Sequence, residues 1–179
     1  MNCEISIGNI KPFNYCNSVE IESSWQIFSD ECIIKLPSLE KQLQKAINVG
    51  DRVVVKLGYN GLLNTEFTGY VSRKGNSIPF TIYCEDEMYA LKRLPTIVKT
   101  YEKVTLRQLL NDIIPGVKTE VPDITLKPFV IENQTPAQVL QRLREEHGLV
   151  AFADGNNVYC GLALLNETGS VVKYGLEQN

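Results

Sequence analysis

Apolar and polar residues alternate through much of the first half of this chain. In "SVEIESSW", Val19, Ile21, Ser23 and Trp25 share one face while Glu20, Glu22 and Ser24 take the other, the period of a strand covered on one side. "DECIIKLP" repeats the pattern, with Cys32, Ile34 and Leu36 together before Pro37 stops the pairing, so the two runs predict an antiparallel pair. The period then lengthens. In "SLEKQLQKAINVG", Leu39, Leu43, Ala46 and Ile47 fall at helical spacing, Ser38 stands where a cap is needed, and Gly50 lies just beyond the end. "DRVVVKLGYNGLLNTEFTGYVSR" returns to strand texture around Asn60-Gly61, a pair suited to positive φ in a hairpin turn. After "KGNS" comes "PFTIYCE", with Phe80, Ile82 and Cys84 on one side and Thr81 and Tyr83 on the other. Short antiparallel strands with one helix predict a small barrel or split barrel, an arrangement that hides strand edges.

Around Pro95 the texture changes. "TLRQLLNDIIPG" puts Leu106, Leu109, Leu110 and Ile113 on one stripe, with Thr105 as N-cap, Gln108 completing a capping box and Pro115-Gly116 as the stop. "TPAQVLQRLREEHG" uses the same grammar: Thr135 caps, Pro136 opens, Gln138 closes the box, Val139, Leu140 and Leu143 face inward, and Gly148 ends the helix. "ITLKPFVIE" reads as extended, and "LVAFADGNNVYCGL" as a hairpin turning at Asp154 to Asn157. The expected fold is therefore mainly β with α+β: an N-terminal antiparallel split β-barrel over residues 1–95, followed by a small α+β domain over 96–165 with two amphipathic helices. Residues 166–179 contain "VVKYG", a strand expected either to return to the first barrel or to open a further domain.

Composition narrows the function classes. With 179 residues and 44% hydrophobic content the chain fills a core of ordinary size. The net charge of -3 and scattered basic residues give no footprint for tight nucleic-acid binding; Arg142 and Arg144 alternate with Glu145 and Glu146 as on a solvated helix face. The five cysteines, Cys3, Cys16, Cys32, Cys84 and Cys160, form no C-x-x-C pair and read as reduced, partly buried thiols. No basic leader precedes an apolar stretch, and no apolar run approaches the roughly 20 residues of a membrane helix, so synthesis and folding in a cytoplasm are expected and a membrane partner is not.

Candidate chemistry is sparse. Glu85, Asp86 and Glu87 stand just past a strand, where acid/base or metal sites often lie, but acids also belong in the first turn of a helix, and "MYALKRLP" continues with Met88 and Leu91 inward and Lys92 and Arg93 at the C-terminal end. Helix punctuation is the preferred reading. A small hydrolase using Glu85 or Asp86 is the rival. His147, the sole histidine, would need Cys84 or another distant thiol to make a nucleophilic pair; beside Gly148 it reads as a helix-end residue. Tyr59, Phe67, Tyr70, Phe80 and Tyr83 invite comparison with a base-stacking platform, yet without a basic groove core and cross-strand packing account for them better. A barrel that binds peptide, glycan or single-stranded nucleic acid remains the other alternative. No G-x-S-x-G, phosphate loop, dinucleotide fingerprint or H-E-x-x-H occurs, and no catalytic, metal or cofactor site is expected.

The order of segments "NSVEIESSWQIFSDECIIKLP", "VGDRVVVKLGYNG", "TEFTGYVSR", "PFTIYCEDEMYALKR", "VTLRQLLNDI", "QTPAQVLQRLREEHGL" and "GNNVYCGL" resembles the baseplate hub (late control protein D-like) family of contractile phage tails and related injection machines. The resemblance runs from about residue 18 to the end, and the series is more specific than any one piece. It implies a two-barrel subunit that assembles as a trimer between tail tube and spike, with no enzymatic turnover, placed in the virion tail or baseplate and made in the bacterial host cytoplasm. Gly50-Asp51, Gly58-Tyr59, Phe67-Thr68-Gly69 and Cys84-Glu85-Asp86 match marks of the first barrel, which are structural in that family. "VVKYGLEQN" resembles the lead into a second barrel, so the sequence is expected to be an N-terminal portion of a longer product or a short relative.

Overall fold

The computed structural model describes residues 2–24, 27–37, 41–76, 78–115, 118–154 and 157–162. Its first half is one curled antiparallel sheet of six strands, β1 (Asn2–Ile7), β2 (Ser18–Glu22), β3 (Glu31–Leu36), β4 (Arg52–Tyr59), β5 (Leu62–Lys74) and β6 (Phe80–Glu85), in the spatial order β1-β4-β5-β6-β3-β2. Strands β2 and β3 pair as their alternation predicts, Val19 opposite Ile34 and Ile21 opposite Cys32. The β4–β5 hairpin turns at Asn60 and Gly61, both at positive φ. Strand β1 has no turn signal ahead of it, although Cys3, Ile5 and Ile7 alternate; it pairs along β4, Ile5 opposite Val55 and Ile7 opposite Val53.

Two departures from two-residue periodicity curl this sheet. Both extra residues lie in β5, Glu66 opposite the Val55–Lys56 step of β4 and Ser72 opposite the Tyr83–Cys84 step of β6, and such an extra residue bends a strand and raises its twist. The glycines beside them let backbones meet: a Cβ on Gly69 would lie 2.1 Å from the Glu85 carbonyl oxygen, and one on Gly58 would lie 1.7 Å from that of Leu62. The concave face collects Ile5, Ile7, Ile34, Val53, Val55 and Ile82, all fully buried. Each such aliphatic side chain contributes about 1.5–3 kcal/mol by leaving water.

The helix α1 (Lys41–Ala46) closes one side of that core with Leu43 and Ile47, whereas Ala46, expected to face inward, is exposed. Ser38, Leu39, Trp25, Gly116 and "VVKYG" lie outside the described residues.

A second apolar cluster follows. Helix α2 (Met88–Arg93) leaves the end of β6 and sends Met88 and Leu91 into it. The helices α3 (Leu106–Ile113) and α4 (Pro136–His147) supply Leu106, Leu109, Leu110, Val139, Leu140 and Leu143. Thr105 caps α3 by accepting from Gln108 N, but the expected box is only half made there, with no return bond from the Thr105 backbone to the Gln108 side chain; at α4 the box is complete, Thr135 accepting from Gln138 N while the Gln138 side chain accepts from Thr135 N. Small ladders surround these helices: β7 (Ile97–Tyr101) with β11 (Phe129–Gln134), β8 (Val104–Thr105) with β10 (Thr125–Leu126), and the hairpin β12 (Leu149–Asp154)–β13 (Asn157–Leu162), whose β13 also takes β9 (Lys118–Glu120) in parallel.

Candidate assembly surface

The acids at the end of β6 are held apart by three separate contacts. Glu85 pairs with Lys92 one turn into α2. Asp86, 7% exposed, accepts from Ser29 Oγ at 2.8 Å and Met88 N at 2.9 Å through Oδ1, and from Asp30 N at 3.1 Å through Oδ2. Glu87 meets the Arg52 guanidinium at 2.7 Å, tying β4 to the start of α2. The acids stand just ahead of the first helical turn instead of within it, and Asp86 serves as the bracket that joins the 29–30 loop to the helix start. Burial raises the Asp86 carboxyl above its ordinary value, opposed by the donors from Asp30, Ser29 and Met88 that favour the charged form.

His147 sits exposed in the last turn of α4, its ring 6.4 Å from that of Phe129, with Gly148 at positive φ closing the helix behind it. Among the described residues no three His, Cys, Asp or Glu side chains are grouped to hold a metal ion. Cys84 is buried opposite Cys32 on β3, and burial pushes both thiols up, that of Cys32 to about 12. A protonated thiol in such surroundings is a weak nucleophile.

The aromatic residues do not share a face. Phe67 and Phe80 are in the core. Tyr70 stacks on Tyr89 under Arg52, Tyr83 lies under Arg73 at 3.7 Å, and Tyr59 stands out at the hairpin tip. Cation contacts of this kind contribute about 0.5–1 kcal/mol each at exposed sites and cover the rings that a stacked base would need.

Among the described residues, strand edges and hairpin tips are part of what faces outward. β1 and β2 end the sheet, and among the described residues no ladder joins them. The connection between them folds back over the gap: Ile5 and Phe13 exchange backbone hydrogen bonds at 2.8 and 3.0 Å, and Asn17 N donates to Lys35 O at 2.7 Å. Beside this seam lies a groove of about 800 Å³ lined by Cys3, Glu4, Tyr15, Cys16, Asn17 and Val19. Glu20 and Glu22 charge the β2 edge, with Lys35 paired to Glu20 at 2.7 Å, a pattern that discourages indiscriminate strand addition. The tip of β4–β5 exposes Tyr59 by 67% and Leu62 by 78%, and the outer face of the β7–β11 ribbon carries Val98 and Val130.

No protein-family model matches the sequence, and no curated protein matches it. Solved structures do. The chain superimposes over 94% of its length on the 43 kDa tail protein of prophage MuSo2 from Shewanella oneidensis, with a TM-score of 0.65 and 19% identity. The fold is that of prophage tail proteins. A tail protein from Neisseria meningitidis matches 89% of the chain at a TM-score of 0.63 and 14% identity. An Escherichia coli component of the type VI secretion system, itself similar to T4 bacteriophage tail proteins, matches 88% at 0.54 and 13%. The chain spans 57%, 49% and 48% of those three proteins. At such identities the likeness is one of fold, a mainly β architecture with a curled half-barrel sheet and few helices.

Proposed function

We propose that this chain is a structural subunit of a phage or phage-like contractile tail, the baseplate hub part that joins tail tube to spike. The observation that carries the reading is the superposition of nearly the whole chain, both apolar clusters included, on a prophage tail protein. In this reading residues 1–95 form the hub barrel, 96–165 the α+β domain, and 166–179 lead toward a second barrel. Three copies of the two-barrel product then make a ring.

The physical logic needs no reaction. A ring subunit works through rims that match copies of itself and the tube above it, and specific rims of this kind bury roughly 800 Å² per partner. Long strands with exposed tips supply reach, and the glycine contacts that fix the curl supply rigidity. The acids at the β6–α2 junction hold the brick in shape, which is why their placement looks like a site in the sequence and like a bracket in space.

Co-expression of the gene product with its tube and spike neighbours tests the proposal: a stable complex with threefold symmetry is expected. Replacing Tyr59 and Leu62 together by Asp should reduce assembly while leaving the circular dichroism of the subunit unchanged. Turnover of a substrate that disappears in Glu85→Ala or Asp86→Asn, with folding intact, would contradict it.

A further inference from the structure

The seam of the curled sheet holds two cysteines that no tail role requires. Cys3 lies on β1, and Cys16 lies in the returning connection two residues before β2; their sulfur atoms are 3.9 Å apart. We propose that Cys3 and Cys16 form a disulfide that closes this seam. The bond would join the β1 edge to the other end of the sheet, because the residue after Cys16, Asn17, is hydrogen-bonded to Lys35 of β3. It would act at the one gap in the sheet order that no described ladder spans.

Access separates this pair from the other thiols, while partial burial and the neighbouring Cys3 sulfur push the Cys16 thiol up to about 11 as well. Cys3 and Cys16 are partly exposed and line the groove, so a small soluble disulfide reaches them. Cys32, Cys84 and Cys160 are buried, and burial keeps their thiols protonated. With glutathione disulfide as oxidant, one thiolate of the pair attacks a glutathione sulfur and displaces one reduced glutathione, leaving a mixed disulfide. The second thiol loses its proton and attacks the protein sulfur of that bond, displacing the other glutathione. One S–S bond forms in the protein, one breaks in the oxidant, and the two protons and two electrons end on two glutathione thiols. The sulfurs must approach from 3.9 Å to about 2.05 Å. A cross-link over 13 residues also restricts the unfolded chain.

Incubating the whole chain with glutathione disulfide tests this. The expected result is a loss of two hydrogens in mass, a fall from five free thiols to three, and a peptide map linking Cys3 to Cys16. The oxidised chain should unfold at a higher denaturant concentration than the same sample reduced, and Cys16→Ser should show no such gain. Five thiols remaining at equilibrium, a persistent mixed disulfide on either residue, or a link through Cys32, Cys84 or Cys160 would overturn the proposal. So would a Cys3–Cys16 bond that leaves the unfolding midpoint unchanged.

Discussion

The two apolar clusters solve the same problem by different means. The first is enclosed by one sheet whose alternate residues point inward, so its integrity rests on ladders between distant strands, such as Leu36 opposite Phe80. The second is filled by two capped amphipathic helices, whose own spacing builds most of the apolar stripe before any long-range contact forms. Backbone approach limits the first, and side-chain volume limits the second. Substitutions should therefore injure the two regions in different ways.

The largest effect is expected at Gly69. In Gly69→Val the new side chain meets the Glu85 backbone 2.1 Å away, and β5 and β6 must part, at a cost of about 3 kcal/mol or more. Chemical denaturation gives the number, and hydrogen exchange should locate the loss in β5 and β6 while α3 and α4 keep their protection. Met88→Ala sharpens the contrast from the other side. Met88 belongs by sequence to the end of the sheet region but packs wholly in the second cluster, so about 3 kcal/mol should be lost with exchange rising in α4 and not in β1 or β4.

Asp86 sits where the regions meet. Asp86→Ala strands the Ser29 hydroxyl and two backbone N–H groups, and about 2 kcal/mol should go, read from the denaturation midpoint. Its raised carboxyl also fixes a sign. A group protonated more readily in the folded state than in the unfolded chain contributes stability that is full below the unfolded carboxylate value and is lost as pH rises through the folded one. The Asp86 share of stability should thus decline over that interval. Ser29→Ala, which removes a donor to the charged form, should raise the carboxyl further in an NMR titration. The smallest effect is expected for Thr135→Ala, about 1 kcal/mol from the lost capping box, with exchange increased in the first turn of α4.

The same contrast explains what could be read in the chain. Helices α3 and α4 announce themselves through Thr105, Thr135, Pro136 and Gly148, because caps and stripes are local. Strands β2, β3 and β6 are legible through alternation, and the β4–β5 hairpin through Asn60-Gly61. β1 is not legible because Asn2–Ile7 has no turn signal ahead of it, nor β9 because three residues joining β13 in parallel leave no period to detect. The bracket at Asp86 was visible only as an acidic cluster, since Ser29 lies 57 positions away in sequence. The approach of Cys3 to Cys16 was hidden likewise: it depends on the connection folding back along β1 through Phe13, which nothing in the composition of "KPFNYCN" dictates.

The proposed role is that of a rigid building block of a ring. Electron microscopy of the complete gene product, purified alone at high concentration, tests that most directly. Threefold rings are the predicted result; a uniform population of single protomers would contradict it.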